Sequence, residues 1–240
     1  MMGSQVAPAA TDSLMSAARA SLSGHAAADV AALETQIKSL RDSAAMAPLF
    51  DSVGHVWQQH KQIYAAAYAR ENAARLANSE KNLNFAGQFY LDVAQLPASP
   101  QVQRWAVDGA IRCFNQALAI NPDNDTTRIA LAAAYIDGAG EVMQGVSILR
   151  EITAKDPDNI PANLMLGRMS IQSGQLEKAV TRFETVLKQE PENREALYFL
   201  AEAYRGKGEK NKAIATLEKL KKIVNDPSFS KDIDDYMKSF

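Results

Sequence analysis

Cysteine and histidine are scarce in this sequence. Cys113 is the single cysteine among 240 residues, so the chain cannot form an internal disulfide, and zinc motifs that need several cysteines are excluded. Cys113 falls within an apolar helical pattern, which favours a small core residue over a reactive thiol. The histidines are His25, His55 and His60, and no Asp or Glu lies between the last two to complete a ligand set. The sequence therefore predicts neither a metal nor any other cofactor.

Charge of one sign and long apolar runs are also lacking. The 26 Lys and Arg residues are balanced by 28 Asp and Glu residues, and a net charge of -2 gives no electrostatic basis for binding nucleic acid. A membrane-spanning helix needs a run of about 18 apolar residues, and the sequence has none. We expect a soluble protein of the cytoplasm or the periplasm with no membrane span in this chain. The sequence leaves open whether a signal or an anchor precedes residue 1.

Motifs of catalysis are lacking as well. Residues 121–125 resemble the start of a calcium loop, but the glycine is missing and Ala134 stands where a bidentate Glu is required. The glycine pairs at 138–140 and 206–208 follow helices rather than strands, so they do not predict nucleotide-binding loops. We interpret these segments as turns, with Asp125 as a helix cap, and we predict that the protein is not an enzyme.

Helical periodicity dominates the rest of the chain, and the pattern itself recurs at a regular interval. Pro122, Pro157 and Pro191 are almost evenly spaced, and each follows an apolar helical segment. In the clearest unit, an apolar helix predicted at 163–173 precedes a second helix predicted at 176–189. The spacing predicts a row of antiparallel helix pairs.

The repeat divides the chain into four parts. The predicted parts are a flexible tail at 1–12, N-terminal helices at 13–47, an array of pairs at 48–227 with approximate repeats 48–80, 81–123, 124–158, 159–193 and 194–227, and a C-terminal capping helix at 228–240. We expect the N-terminal helices to separate at Gly24, the array to start at Pro48 and Ser228 to cap the last helix. The turn-rich residues 96–100 are predicted to form a projecting loop.

The pattern within the pairs resembles the tetratricopeptide repeat family. Leu166-Gly167 in a first helix, followed by Ala179 and Phe183 in a second helix and by Pro191, matches the repeat unit of that family in both residue types and length. The resemblance covers roughly residues 48–227. It implies an all-α fold, a right-handed superhelical solenoid of about four to five antiparallel helix pairs, with N-terminal helices and a C-terminal capping helix.

The resemblance also implies a function. Members of this family are non-enzymatic scaffolds or adaptors, and a peptide or helical segment of a partner protein binds on the concave face that the first helices line. The positions of this sequence that match the inward-pointing positions of the family are Asn84, Gln88, Leu91, Ile129, Ala133, Ile136, Asn163, Leu164, Arg168, Ile171, Gln172, Tyr198, Glu202 and Arg205. Arg168 and Arg205 either pair with carboxylates of the partner or are merely solvated.

An enzyme or a metal-binding protein with an unrecognised site is disfavoured, because no acid/base, nucleophile or ligand set converges in the sequence. Two further alternatives stay open. The layout is similar to that of the membrane-tethered accessory factors of bacterial cytochrome c maturation, although no diagnostic residue supports this likeness. The Ala-rich N-terminal helices are also compatible with a homodimer, which would make the chain a self-assembly module.

Overall fold

The computed structural model describes residues 6–239, and all regular secondary structure in that range is helical. The helices in chain order are α1 (Thr11–Ser21), α2 (Gly24–Ser39), α3 (Ser43–Gln59), α4 (Ile63–Leu76), α5 (Glu80–Ala94), α6 (Pro100–Ile120), α7 (Asp125–Ala133), a π-helix (Ala134–Ala139), α8 (Val142–Lys155), α9 (Ile160–Gln172), α10 (Leu176–Gln189), α11 (Arg194–Gly206), α12 (Lys210–Val224) and α13 (Pro227–Met237). The prediction of an all-α repeat of helix pairs is confirmed. The chain forms two compact units, one up to Gly145 and one from Val146 onward.

Five helix pairs follow the two N-terminal helices. In chain order they are α3 and α4, α5 and α6, α7 with the π-helix and α8, α9 and α10, and α11 and α12. Because α8 runs from the first unit into the second, the third pair is defined by chain order alone. We call the earlier helix of each pair its first helix. In the first unit, α1 and α2 pack on the first pair, and the shared core contains Met15, Val30, Val53 and Trp57.

The N-terminal boundaries differ from the predicted ones. Residues 1–5 of the predicted tail lie outside the described residues, whereas α1 begins at Thr11. The amide of Ala9 donates a 2.9 Å hydrogen bond to the carbonyl of Gln101, so the residues before α1 contact the second pair. Helix α1 ends at Ser21, and Gly24, with φ of 59°, is the first residue of α2.

Pro48 lies inside α3, and the prediction that it starts the array is wrong. The helix begins at Ser43, where the side chain of Asp42 accepts a hydrogen bond from the amide of Ala44 at 3.0 Å. A proline inside a helix removes one backbone donor. Here the ring is exposed, and α3 continues past it to Gln59.

The predicted projecting loop at 96–100 is instead short, because the extra residues lengthen a helix. Ser99 caps α6 and Pro100 occupies its first turn, which gives a helix of 21 residues. The added turns carry Trp105, whose indole nitrogen donates to the hydroxyl of Thr11 at 3.0 Å. Its ring meets that of Tyr90 edge to face, with the centroids 5.3 Å apart. The insertion therefore packs against the N-terminal helix rather than projecting.

The third pair has a first helix that changes from α to π geometry. Asn124, not Asp125, caps α7 by accepting from the amide of Thr127 at 3.1 Å. The predicted turn at 138–140 is mostly π-helix, and the chain turns at Gly140, which has φ of 70°. Arg104 of α6 holds this end of the helix by donating to the carbonyl of Ala139 at 3.1 Å.

The second unit contains the fourth and fifth pairs and the last helix. Asn159 and Asn193 cap α9 and α11, each accepting from the backbone amide three residues later. Asp226 caps α13 in place of the predicted Ser228, since Pro227 occupies the first turn of the helix. Ile233 of α13 packs on Leu197 and neighbouring apolar residues of the fifth pair, as a terminal cap requires.

Candidate functional site

The predicted binding residues of the first unit are only partly exposed. Gln88 is exposed, and Asn84 accepts a 2.9 Å hydrogen bond from the hydroxyl of Thr127, which joins the first helices of the second and third pairs. Leu91, Ile129 and Ala133 are half-buried. The prediction is wrong for Ile136, because its side chain in the π-helix is buried and packs against Gly145. A Cβ at Gly145 would lie 2.5 Å from the Cγ1 atom of Ile136.

Asn163 also departs from the prediction. It is only 3% exposed, and its side-chain nitrogen donates to the carbonyls of Pro157 and Asn159 at 2.8 and 3.0 Å. Its oxygen accepts from Arg182 of α10 at 3.0 Å. Every polar group of this amide is occupied, so Asn163 fixes the turn before α9 and is not free to contact a partner.

The remaining predicted residues of the second unit lie on the first helices α9 and α11, and we call this surface the α9/α11 face. Its members are Leu164, Arg168, Ile171, Gln172, Tyr198, Glu202 and Arg205. Gln172, Tyr198 and Arg205 are exposed, and the other four are half-buried. Leu164 and Ile171 pack against the core of the unit, which anchors the polar members around them.

The charged residues of the α9/α11 face differ in how well they are paired. Arg205 donates to Glu202 at 2.9 Å, and this hydrogen bond raises the pKa of Arg205. The hydroxyl of Tyr236 in α13 also donates to Glu202. Arg168 lies 3.8 Å from the carboxylate of Glu195, which is too long for a hydrogen bond, and its buried Nε atom has no hydrogen-bond partner. Arg168 is therefore the less satisfied cation.

A groove in the first unit was not predicted from the sequence. It has a volume of about 730 Å³ and lies between α3, α4 and α5. We call it the N-terminal groove, and it is lined by Ala44, Ala47, Pro48, Asp51, Arg70, Ala73, Ala74, Ala77, Asn82, Phe85, Ala86, Gln88, Phe89 and Asp92. Gln88 is the one predicted binding residue among them. The alanines keep the space open, because larger side chains at these positions would fill it.

Aromatic and charged side chains meet in the N-terminal groove. Phe85 is 62% exposed, although it is a large apolar residue. Arg70 lies 4.8 Å above the ring of Phe89 and donates to Gln58. Across residues 6–239, Arg70 makes no ion pair with a carboxylate, and its Nε atom is buried without a hydrogen-bond partner. The sequence signal for this groove was Phe85, a large apolar residue that falls outside the repeat spacing of Leu83, Ala86, Gly87 and Tyr90.

A buried ionic network joins three helices of the first unit. Glu71 of α4 is 7% exposed and accepts from the hydroxyl of Tyr90 of α5 at 2.6 Å. Arg112 of α6 donates to both oxygens of the same carboxylate, at 2.9 and 3.0 Å. Burial and the neighbouring Glu71 raise the pKa of Tyr90. Burial also raises the pKa of the Cys113 thiol, which keeps it protonated and unreactive.

The described residues hold no arrangement suited to a metal. In the range 6–239, no group of three or more His, Cys, Asp or Glu side chains converges. Within the same range, every helix is too short or too polar to cross a membrane.

Comparisons with known proteins agree with the helix pairs. The sequence profile of the family described as tetratricopeptide repeat matches residues 106–169 and 170–230, just over half of the chain. No curated protein sequence matches the chain.

Solved structures share the fold at low sequence identity. A crystal structure of MamA protein is 17% identical, with a TM-score of 0.57 over 74% of this chain and 91% of that chain. The crystal structure of YrrB, described as a TPR protein with an unusual peptide-binding site, is 17% identical, with a TM-score of 0.55 over 85% of this chain and 98% of that chain. MamA from Desulfovibrio magneticus is 16% identical, with a TM-score of 0.57 over 75% and 95%.

Proposed function

Because the chain belongs to the tetratricopeptide repeat family, we propose that it is a non-enzymatic scaffold that binds a segment of a partner protein on the exposed surfaces of its first helices. Members of this family are interaction modules, and stacked pairs present their first helices as an extended binding surface. YrrB, which shares the fold, has a peptide-binding site. The observation that carries the proposal for this chain is the N-terminal groove with the exposed ring of Phe85.

The N-terminal groove suits a segment that has both an apolar side chain and a carboxylate. Its volume of about 730 Å³ lies within the range of about 300–1,000 Å³ that is typical of ligand sites. A partner side chain that covered Phe85 would remove apolar surface from water, which favours binding. The positive charge of Arg70, which is held against Phe89, would attract a carboxylate of the same segment. Asp51 and Asp92 also line the groove, so that carboxylate would have to lie at the Arg70 end, away from these two acids.

The α9/α11 face is the second surface of this proposal. Tyr198 is 38% exposed, and its ring lies edge to face against Phe199, with the centroids 5.3 Å apart. The half-buried Arg168 has an Nε atom without a hydrogen-bond partner. That Nε atom is buried, so a carboxylate from a partner would pair with the exposed part of the Arg168 side chain and would compete only with the long 3.8 Å contact to Glu195.

The test is affinity capture from native lysate with three variants beside the wild-type chain. Phe85→Ala removes the exposed ring of the N-terminal groove, and Tyr198→Ala combined with Arg168→Glu alters the α9/α11 face. Ile214→Ala is the control, because Ile214 is also an exposed large apolar residue but lies on the second helix α12. Circular dichroism must show equal helicity for all four proteins.

We expect the same protein to be recovered with wild type and with Ile214→Ala, and to be reduced or lost with at least one first-helix variant. Equal recovery with all four baits would mean that the first helices do not form the binding surface. In that case the alternatives from the sequence, a homodimer or a membrane-tethered accessory factor, would be tested next by sedimentation and by fractionation.

A further inference from the structure

A second cavity of about 240 Å³ lies in the first unit, where α1 and α2 pack on α3 and α4. We call it the cap cavity, and its apolar wall is formed by Met15, Ile37, Phe50, Val53, Trp57 and Ala65. It shares no residue with the N-terminal groove or with the α9/α11 face. A ligand bound in the cap cavity would therefore touch none of the residues of the two surfaces proposed above.

The cap cavity exists because one helix presents small residues to three others. Ala65 and Ala69 of α4 are almost fully buried, with 0% and 3% exposure, and both line the cavity. Trp57 of α3, which is 2% exposed, also lines it. Protein interiors are normally close-packed, whereas this space stays open to solvent at one edge. An apolar cavity of about 150 Å³ is already large enough to bind benzene, so a cavity of about 240 Å³ has room for a small apolar group.

Charged side chains line the solvent edge of the cap cavity. Arg19 of α1 and Glu34 of α2 pair at 2.9 Å, and their side chains are 52% and 25% exposed. Lys38 lies one turn beyond Glu34, is exposed, and makes no ion pair with any residue of the described range 6–239. Two cations and one carboxylate leave this edge with a net positive charge.

We propose that the cap cavity binds a small amphiphilic anion, with an apolar tail inside and a carboxylate at Lys38. A cavity needs only about 10–15 Å³ of such volume to hold one water molecule, so about 240 Å³ accommodates a short alkyl tail. The apolar wall favours the tail, because it is removed from water on binding. The unpaired Lys38 favours an anionic head group over a neutral or cationic one.

The probe is octanoate below its micelle concentration, and 1-octanol is the neutral control of equal length. The chain has two tryptophans, Trp57 in the wall and Trp105 of α6, so ¹⁵N-labelled protein shows two indole signals. The variant Trp105→Phe assigns them. We expect saturable movement of the Trp57 signal with octanoate, while the Trp105 signal stays in place.

Three variants locate the ligand. Lys38→Glu should weaken octanoate binding by about three- to tenfold, as expected for reversing one exposed charge, and should leave octanol binding unchanged. Ile37→Phe places a larger ring at the half-buried wall and should abolish movement of the Trp57 signal. Lys188→Glu changes the charge of the exposed Lys188 on α10 and should bind both probes like wild type.

Several outcomes would overturn the proposal. If the Trp57 signal does not move with octanoate, or if both indole signals drift without saturation, the cavity does not bind this class of ligand. Equal affinity for octanoate and octanol, or equal loss with Lys38→Glu and Lys188→Glu, would remove the role of the anionic head. Unchanged octanoate affinity in Ile37→Phe would place the ligand elsewhere.

Discussion

Phe183 of α10 occupies the space that a side chain at Gly167 of α9 would need. A Cβ atom built at Gly167 would lie 2.5 Å from the Cζ atom of Phe183. The same relationship recurs in the second pair, where a Cβ at Gly87 would lie 2.6 Å from the ring of Phe114. Both rings are fully buried, with 0% and 1% exposure, so each glycine leaves the space that the aromatic ring of the paired helix fills.

Gly167→Ala should therefore destabilise the protein. The new methyl group overlaps a ring that is enclosed on all sides, and overpacking of this kind costs about 1–3 kcal/mol. Chemical unfolding followed by circular dichroism measures the change in midpoint. A midpoint equal to that of wild type would show that Phe183 can move aside without cost.

Gly54→Ala is the matched change in the first pair, and it should not destabilise. Gly54 is also a buried glycine of a first helix, but the nearest atom to its built Cβ is the Cβ of Ala69 at an ordinary 3.5 Å. Alanine is the better helix former by about 1 kcal/mol, so a small gain in stability is expected. A loss comparable to that of Gly167→Ala would show that the space at Gly54 is not available.

The first helices of the third, fourth and fifth pairs are all capped by an asparagine at the same position of the repeat. Asn124, Asn159 and Asn193 each come two residues after the recurring prolines, and each accepts a hydrogen bond from the amide three residues later, at 3.1, 3.1 and 2.9 Å. Asn159→Ala should cost about 1 kcal/mol, because it leaves an amide at the start of α9 without a partner. Asn159→Asp retains the acceptor and should match wild type in the same unfolding experiment. Equal losses for the two variants would assign the effect to something other than the cap.

Features that depend on residues within one helix or within two consecutive helices were predicted from the sequence. The period, the glycine of the close approach and the bounds of α10 follow from apolar spacing within a single repeat. Gly167 and Phe183 lie in consecutive helices, so their pairing depends only on the turn between α9 and α10. The predicted start of the array was wrong. A proline usually marks the start of a helix, but Pro48 lies within α3.

Features that depend on which helices meet were not predicted. Ile136 and Asn163 match the first-helix pattern of exposed positions, but a π-helix buries the first, and three hydrogen bonds hold the second. The residues at 96–100 look like a loop, but Ser99 and Pro100 start a long helix. Phe85 and Arg70 belong to different helices, and only packing brings them to one groove.

Glu71→Ala should be strongly destabilising. The carboxylate accepts from Tyr90 at 2.6 Å and from Arg112 at 2.9 Å, and removing it leaves the buried hydroxyl of Tyr90 without its acceptor. Hydrogen bonds to a charged group contribute about 1.5–3 kcal/mol, and the exposed side of Arg112 limits the further loss. The double variant Glu71→Ala, Tyr90→Phe should recover part of the stability, because it no longer buries an unpaired hydroxyl. Additive losses in this double-mutant cycle would show that the two residues are not coupled.

Tyr204 should make stability fall at alkaline pH. Burial first, and then its 2.9 Å hydrogen bond to Glu184, raise the pKa of Tyr204 from 10.0 to about 12. Between these two values the folded protein holds a proton that the unfolded chain has released. The stabilisation is therefore complete below pH 10 and is lost as the pH rises through 12. Tyr204→Phe removes this titration, so its unfolding free energy, measured in urea at half-unit steps from pH 9 to about 11.5, should decline less steeply than that of wild type. Parallel curves for the two proteins would show that the environment of Tyr204 does not favour its protonated form.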